Sequence, residues 1–114
     1  LMARATCITA DGVQLGDGEF IEGRTVIGTI GTAANPLLAR LGLPLSGGRV
    51  VVAGDLSVPG YPGLWAVGDC ACVPNALDGS TAPPTAQFAV REAQHLARNL
   101  GAVVTGAPTT AFRY

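Results

Sequence analysis

The sequence predicts an α/β fold that begins with an antiparallel β-meander and ends with one long helix. Three observations predict it. Turn dipeptides divide the first 30 residues into short apolar segments. An apolar run at 64–67 stops at a glycine and an aspartate, which is typical of buried strands in parallel sheets. Alanine and leucine then recur at helical spacing from 86 to 100.

Composition limits the class of protein. The chain has 114 residues, of which 48% are hydrophobic and 13% charged, and its net charge is −1. This composition excludes an intrinsically disordered chain, and the lack of surplus basic residues argues against a nucleic-acid partner. Charged residues make up about a quarter of a typical domain. The low value here predicts a piece of a larger protein, with surfaces that face other parts of that protein.

Hydropathy and cysteine content predict the location of the protein. No apolar run approaches the roughly 18 residues of a transmembrane helix, and no signal-peptide pattern opens the sequence. The cysteines are odd in number, and Cys70 and Cys72 are too close in sequence for an ordinary disulfide bridge. We therefore expect free thiols in a reducing, cytoplasmic compartment.

The first 30 residues predict strands joined by tight turns. Asp11-Gly12 and the glycines on either side of Asp17 separate three short apolar segments, which predicts the meander. The run from 25 to 30 is rich in β-branched residues and predicts a more buried strand. It ends in a turn of small residues that begins with Gly31.

The middle of the chain predicts a short helix and a strand. Asn35 is a good N-cap residue, and Gly42 suits a left-handed helix end. A β-branched strand at 50–52 follows a turn of two glycines. Residues 55–63 are rich in proline and glycine and predict a loop, in which Asp55 is interpreted as a solvated charge.

The first candidate site follows the apolar run at 64–67, which predicts a short, fully buried strand ending on Gly68 and Asp69. In open α/β sheets, ligands bind outside the carboxyl ends of the strands. Glycine there lets the backbone approach a ligand closely, and a carboxylate accepts hydrogen bonds from hydroxyl groups. Asp69 is therefore the candidate for binding a ribose or another polyol.

The long helix has two predicted faces. Pro83 and Pro84 predict its start and Gly101 its end. The alanine-rich face is predicted to pack closely on a neighbour. The other face is predicted to be polar, and His95 on it is interpreted as a surface residue. The polar face comprises Arg91, Glu92, Gln94, His95, Arg98 and Asn99.

The start of this helix is the second candidate site. The N–H groups around Thr85, Ala86 and Gln87 have no intrahelical acceptor, and together with the helix dipole they favour negative charge nearby. An ordinary surface helix start is the alternative interpretation. The short distance in sequence from Asp69 favours a shared site.

Gly68-Asp69, together with the later Ala86-Gln87, resembles the second flavin-binding motif of the pyridine nucleotide-disulfide oxidoreductase superfamily. Within it, the chain is most similar to type II NADH:quinone oxidoreductases (NADH dehydrogenases). The resemblance implies an α/β chain that is a partial FAD-binding (Rossmann-like) half and a C-terminal-half fragment. Residues 1–30 would end the NAD(P)H-binding domain, and residues 31–114 would form the C-terminal part of the FAD-binding domain.

The resemblance also implies roles for particular residues. Asp69 would hold the ribityl chain of FAD, and the helix start would stabilise negative charge on the flavin ring. NAD(P)H would be the co-substrate of the complete enzyme. No catalytic side chain and no metal ligand is predicted. The cofactor-binding residues that the resemblance implies are Gly68, Asp69, Thr85, Ala86, Gln87 and Gly31.

The electron acceptor is the least defined part of the resemblance. Gln87 matches a glutamine that lies close to quinone in the family, but Arg91 stands where the family has a second glutamine. An arginine brings a permanent charge to a position where the family has a neutral amide. The acceptor-side residues Gln87 and Arg91 are therefore compatible with a quinone or with a more polar electron acceptor. Cys70 and Cys72 are interpreted as small buried residues. A relationship to sulfide:quinone oxidoreductases, which use cysteines, stays open as an alternative.

The partners follow from what the sequence lacks. It contains no GxGxxG motif, so the two phosphate-binding turns, for FAD and NAD(P)H, are expected in the remainder of its own chain. The resemblance implies an isolated piece without turnover and a full-length protein at the inner face of the cell membrane. Homo-oligomerisation stays open. The alternative from another class is a small, non-catalytic α/β interaction module.

Overall fold

The computed structural model describes residues 3–29, 31 and 33–114. The chain divides into two compact units, Leu1–Thr32 and Ala33–Tyr114. Each unit has a three-stranded sheet of its own, and the second also holds the one long helix among the described residues. This arrangement confirms the predicted partial α/β fold, with a meander first and a long helix near the C-terminus.

The first unit is an antiparallel meander of β1 (Ala5–Thr9), β2 (Gly12–Leu15) and β3 (Phe20–Glu22). Both predicted turns are confirmed. The first requires glycine, because a Cβ atom added at Gly12 would overlap the carbonyl oxygen of Ile21 on the neighbouring strand.

The predicted buried strand at 25–30 is wrong for the residues that the structure describes. Residues 25–29 form no strand, and the side chain of Ile27 is 82% exposed. Strands are stabilised by backbone hydrogen bonds to a neighbour, and 25–29 pair with no strand in the described chain. Ile30 lies outside the described residues.

The sheet of the second unit has the order β4 (Leu45–Ser46), β5 (Arg49–Val51), β6 (Ala71–Cys72). The predicted strand at 50–52 is confirmed as β5. It pairs antiparallel with β4 and parallel with β6. The β6 strand directly follows the Gly68–Asp69 pair, in a segment for which the sequence predicted no strand. Parallel pairing needs a long crossover connection, which residues 52–70 provide here.

The segment at 64–67 is not the fully buried strand that its apolar sequence predicted. Leu64 is 38% exposed, and Trp65 makes a single antiparallel bridge to Ser57. The N–H of Ala66 donates to the carbonyl of Leu56 at 3.2 Å. The segment thus pairs on one side only, with the loop residues 56–58, instead of lying between two strands. It is therefore only half-buried.

The short predicted helix is confirmed as a 3₁₀ helix, Pro36–Arg40. The side chain of Asn35 caps it by accepting a hydrogen bond from the N–H of Leu37 at 2.9 Å. Gly42 follows with φ +67°, the left-handed conformation expected of a helix end.

The long helix, α1 (Ala86–Val104), begins where predicted but continues three residues beyond Gly101. Its stop is Gly106, which has φ +73° and donates its N–H to the carbonyl of Val103 at 3.2 Å. The assignment of its faces is wrong. Glu92, His95 and Asn99, predicted to be on the surface, are buried, whereas most of the alanine-rich face is exposed.

The core of the second unit joins loops, strands and the C-terminal segment. Phe112, only 1% exposed, is the largest fully buried side chain, although residues 107–114 form no helix or strand. Leu38, Trp65, Phe88 and Leu96 pack around the core while staying partly exposed. The fully buried core residues are Val50, Val52, Leu56, Val58, Ala71, Val73, Ala82 and Phe112.

Candidate functional site

The turn Gly68–Cys70 packs against the first part of α1. Gly68 has φ +72°, so the chain turns sharply there into one turn of 3₁₀ helix. A Cβ atom added at Gly68 would lie 3.4 Å from the Cβ atom of Ala89. The residue before Asp69 therefore contacts α1 at Ala89, and the shared site of Asp69 and the helix start stays a prediction.

Asp69 is exposed at this turn, immediately after Gly68, which packs against α1. Its carboxylate is available to accept hydrogen bonds from a ligand's hydroxyl groups. Cys70, predicted to be buried, is also exposed, with its sulfur 3.2 Å from the carbonyl oxygen of Val67. Cys72 is half-buried in β6, and both are free thiols.

The start of α1 has no cap of its own. Thr85 is the N-cap residue, but its side chain makes no capping hydrogen bond, and the first turn contains no acidic residue. Ala86 and Gln87 are exposed. The unpaired N–H groups and the positive end of the helix dipole thus stay available to a ligand with negative charge, which fits a flavin ring in its reduced, anionic form.

A buried carboxylate, Glu92 of α1, fixes the Gly68 turn. Its Oε2 atom accepts a hydrogen bond of 2.6 Å from the N–H of Gly68. Burial raises the pKa of Glu92, although this hydrogen bond and the nearby charge of Arg49 act in the opposite direction. Sequence reasoning missed this contact because it links positions 24 residues apart.

Arg49 supports the same region from β5. Its guanidinium donates to the carbonyl oxygens of Ala71 and Ala82, at 3.3 Å each. It therefore joins β6 to the segment that leads into α1. No local pattern distinguished Arg49 from a surface arginine.

His95 and Asn99 attach α1 to the C-terminal segment. His95 Nε2 lies 2.7 Å from the carbonyl oxygen of Thr110. Asn99 donates to the carbonyl oxygens of Thr110 and Asp55 at 2.9 Å each, and its own oxygen accepts from the N–H of Thr110 at 3.0 Å. These polar side chains are buried because backbone groups satisfy them, which corrects the surface interpretation of His95.

Asp55 also has a structural role, in contrast to the predicted solvated charge. Its carboxylate accepts hydrogen bonds from Ser57 Oγ at 2.6 Å and from Thr109 Oγ1 at 2.9 Å. Desolvation raises the pKa of Asp55, but the hydrogen bonds from Ser57 and Thr109 outweigh it, so the pKa lies below its usual value.

The predicted acceptor-side residues, Gln87 and Arg91, both line a groove of about 800 Å³ along α1. The guanidinium of Arg91 lies 4.4 Å from the ring centre of Tyr114. Phe88 stacks on Tyr114 with ring centres 3.8 Å apart. Asp69 does not line this groove, so the groove and the Gly68 turn are separate features that share α1.

Gly31 belongs to the other unit, where it is exposed with φ +86°. Its conformation is that of a turn glycine. Its role in cofactor binding stays a prediction.

The small mixed sheet, the Gly68–Cys70 turn and α1 form a partial, Rossmann-like α/β fold. The family model described as pyridine nucleotide-disulphide oxidoreductase matches residues 2–93. The chain therefore belongs to the pyridine nucleotide-disulphide oxidoreductase family.

Individual relatives agree with this assignment. The type II NADH:quinone oxidoreductase of Staphylococcus saprophyticus is 31% identical over 103 residues, covering 90% of this chain and 26% of the relative. A ferredoxin reductase from Rhodopseudomonas palustris superposes with a TM-score of 0.73 at 28% identity, covering 96% of this chain and 27% of that one. The solved structure of a protein named Fdr9 superposes with a TM-score of 0.80 at 25% identity, covering 97% of this chain and 28% of that one.

The chain spans about a quarter of the length of these relatives. Within the described residues, no helix combines the length and the apolar character needed to cross a membrane.

Proposed function

We propose that the chain is the C-terminal-half part of an FAD-dependent NAD(P)H oxidoreductase. When bound, FAD would supply the redox chemistry that links hydride transfer from NAD(P)H to electron transfer to a quinone or another acceptor. The observation that carries the proposal is the Gly68–Cys70 turn packed against the uncapped start of α1. Family membership supports the same class of reaction.

The residues at the turn would bind the cofactor. The carboxylate of Asp69 would accept hydrogen bonds from the ribityl hydroxyl groups of FAD. Gly68, which has no side chain, would leave room for the ribityl chain to approach the backbone. The N–H groups at Thr85–Gln87 would stabilise negative charge on the ring. Glu92 would act through the turn, as a positioning residue, because its hydrogen bond fixes the Gly68 N–H. Gly31 would lie in the turn between the two domains.

The remaining parts of the proposal rest on the relatives. The remainder of its own chain would supply the GxGxxG turns that bind the pyrophosphate groups of FAD and NAD(P)H. The relatives named as NADH:quinone oxidoreductases support a quinone acceptor. A place at the inner face of the cell membrane is part of the proposal and rests on the family resemblance. Without those other parts, the 114-residue chain would have no turnover.

Flavin titration tests the role of Asp69. We expect Asp69→Ala to weaken FAD binding to the flavin-free, full-length protein by about tenfold or more, because hydrogen bonds to a charged group contribute about 1.5–3 kcal/mol each. Flavin fluorescence quenching measures the dissociation constant. Asp78→Ala, in an exposed loop, is the control and should bind FAD like the wild type. Equal affinities for wild type and Asp69→Ala would contradict the assignment.

A further inference from the structure

The groove along α1 is strongly basic. Three of the five arginines in residues 33–114 line it, namely Arg91, Arg98 and Arg113. No aspartate or glutamate is among its lining residues. Such an unbalanced set of side-chain charges attracts anions, because no acidic side chain in the groove wall offsets the arginines.

The positions of the arginines suit a ligand with more than one anionic group. Arg91 and Arg98 are two helical turns apart on α1, which separates their backbones by about 10 Å along the axis. The ring of Tyr114, which stacks on Phe88, restricts the guanidinium of Arg91. An arginine held in place loses less conformational entropy when it binds a ligand.

The groove also has the size and the wall of a small-molecule site. Its volume of about 800 Å³ lies within the range of roughly 300–1,000 Å³ typical of ligand pockets. Buried Phe112 contributes an apolar wall, and Gln87 and Gln94 contribute amide groups. Guanidinium groups bind carboxylates and phosphates through paired hydrogen bonds.

We propose that this groove binds a small organic anion with at least two carboxylate or phosphate groups, and that the electron acceptor of the enzyme presents such a group here. The second part rests on the proposed function, because Gln87 and Arg91 at one end of the groove are its acceptor-side residues. Arg98 and Arg113 are then specificity-determining residues for a charged acceptor.

A binding measurement tests the groove independently of redox activity. Isothermal titration of the full-length protein with pyrophosphate should detect binding that weakens as salt is added. The double variant Arg98→Gln, Arg113→Gln should lower the affinity at least about fivefold. Arg40→Gln, in the exposed 3₁₀ helix outside the groove, should leave it unchanged. No binding, or equal binding by wild type and double variant, would overturn the groove as an anion site.

Steady-state kinetics tests the acceptor. Naphthoquinone sulfonate serves as the anionic acceptor, with its sulfonate in place of one carboxylate or phosphate group. With it, the double variant should show a raised KM, whereas with the uncharged quinone menadione its KM should match the wild type. Equal changes for both acceptors would refute an anionic acceptor even if pyrophosphate binds. A protein that binds no FAD and oxidises no NAD(P)H would refute the proposed function. The pyrophosphate titration would still show whether the groove binds anions.

Discussion

At the scale of single residues, Glu92 shows how a charged side chain becomes part of the interior. It is 2% exposed, and its partner is a backbone N–H at the turn that leads to Asp69. A buried carboxylate that loses water must be compensated by hydrogen bonds or take up a proton. Here the compensation is incomplete, since the pKa of Glu92 is raised.

This raised pKa predicts a dependence of stability on pH. The folded state binds a proton on Glu92 more tightly than the unfolded state does. The stabilisation that this proton gives is fully present below the unfolded pKa of 4.5, and it is lost as pH rises through the raised pKa of the folded state. Glu92→Gln keeps an acceptor for the Gly68 N–H and carries no such loss. The unfolding free energy of the wild type relative to Glu92→Gln should therefore fall from about pH 4 to pH 7.

Urea unfolding at several pH values measures this difference. Glu19→Gln removes one negative charge from an exposed position in the first unit and is the control. Parallel pH profiles for the wild type and Glu92→Gln would show that Glu92 titrates alike in the folded and unfolded chain.

At the scale of elements, the contact between the Gly68–Cys70 turn and α1 positions the candidate site. Gly68 and Gly79 both have φ +72°, but only Gly68 has a neighbour within 4 Å of an added Cβ atom, namely Ala89. The two glycines therefore separate the cost of backbone strain from the cost of a tight contact between elements.

Alanine substitutions at Gly68 and at Gly79 allow the two costs to be compared. Both Gly68→Ala and Gly79→Ala should lose about 1 kcal/mol or more of stability from left-handed strain. Gly68→Ala should lose somewhat more, and should also weaken FAD binding, because its Cβ atom lies 3.4 Å from that of Ala89, at the lower limit of ordinary contact. Urea unfolding and flavin titration measure the two effects. Equal losses, with unchanged flavin affinity, would show that the turn can move away from α1 without consequence.

At the scale of the whole molecule, the C-terminal segment completes the core of the second unit. Phe112 is 1% exposed, and its backbone donates to Gly54 and accepts from Ala76, at 2.8 and 2.9 Å. Asn99 and His95 of α1 bind the backbone of the same segment. The irregular segment thus connects α1 to the loops around the sheet.

Removal of the Phe112 side chain should therefore destabilise the second unit strongly. We expect Phe112→Ala to cost about 3–5 kcal/mol, from lost burial and the cavity that remains. Leu77→Ala, at a side chain that is 69% exposed in the same unit, should change stability by at most about 0.5 kcal/mol. Urea unfolding measures both, and similar values for the two variants would show that Phe112 is not part of a packed core.

Features with a local cause could be predicted from the sequence alone. The Asp11-Gly12 turn, the Asn35 cap, the start of α1 and the Gly-Asp pair at 68–69 depend on residues a few positions apart. Propensity, capping and turn conformation act over that range, so their patterns can be recognised without a structure.

Only the tertiary structure decided which face of α1 is buried, that Ala71–Cys72 is a strand, and that residues 64–67 are not one. Each depends on a partner far along the chain. Glu92, His95 and Asn99 have a polar pattern that predicts exposure, yet distant backbone groups satisfy them. The physical reason is that burial of a polar side chain depends on whether a hydrogen-bond partner meets it in space, and spacing along the chain does not record that partner.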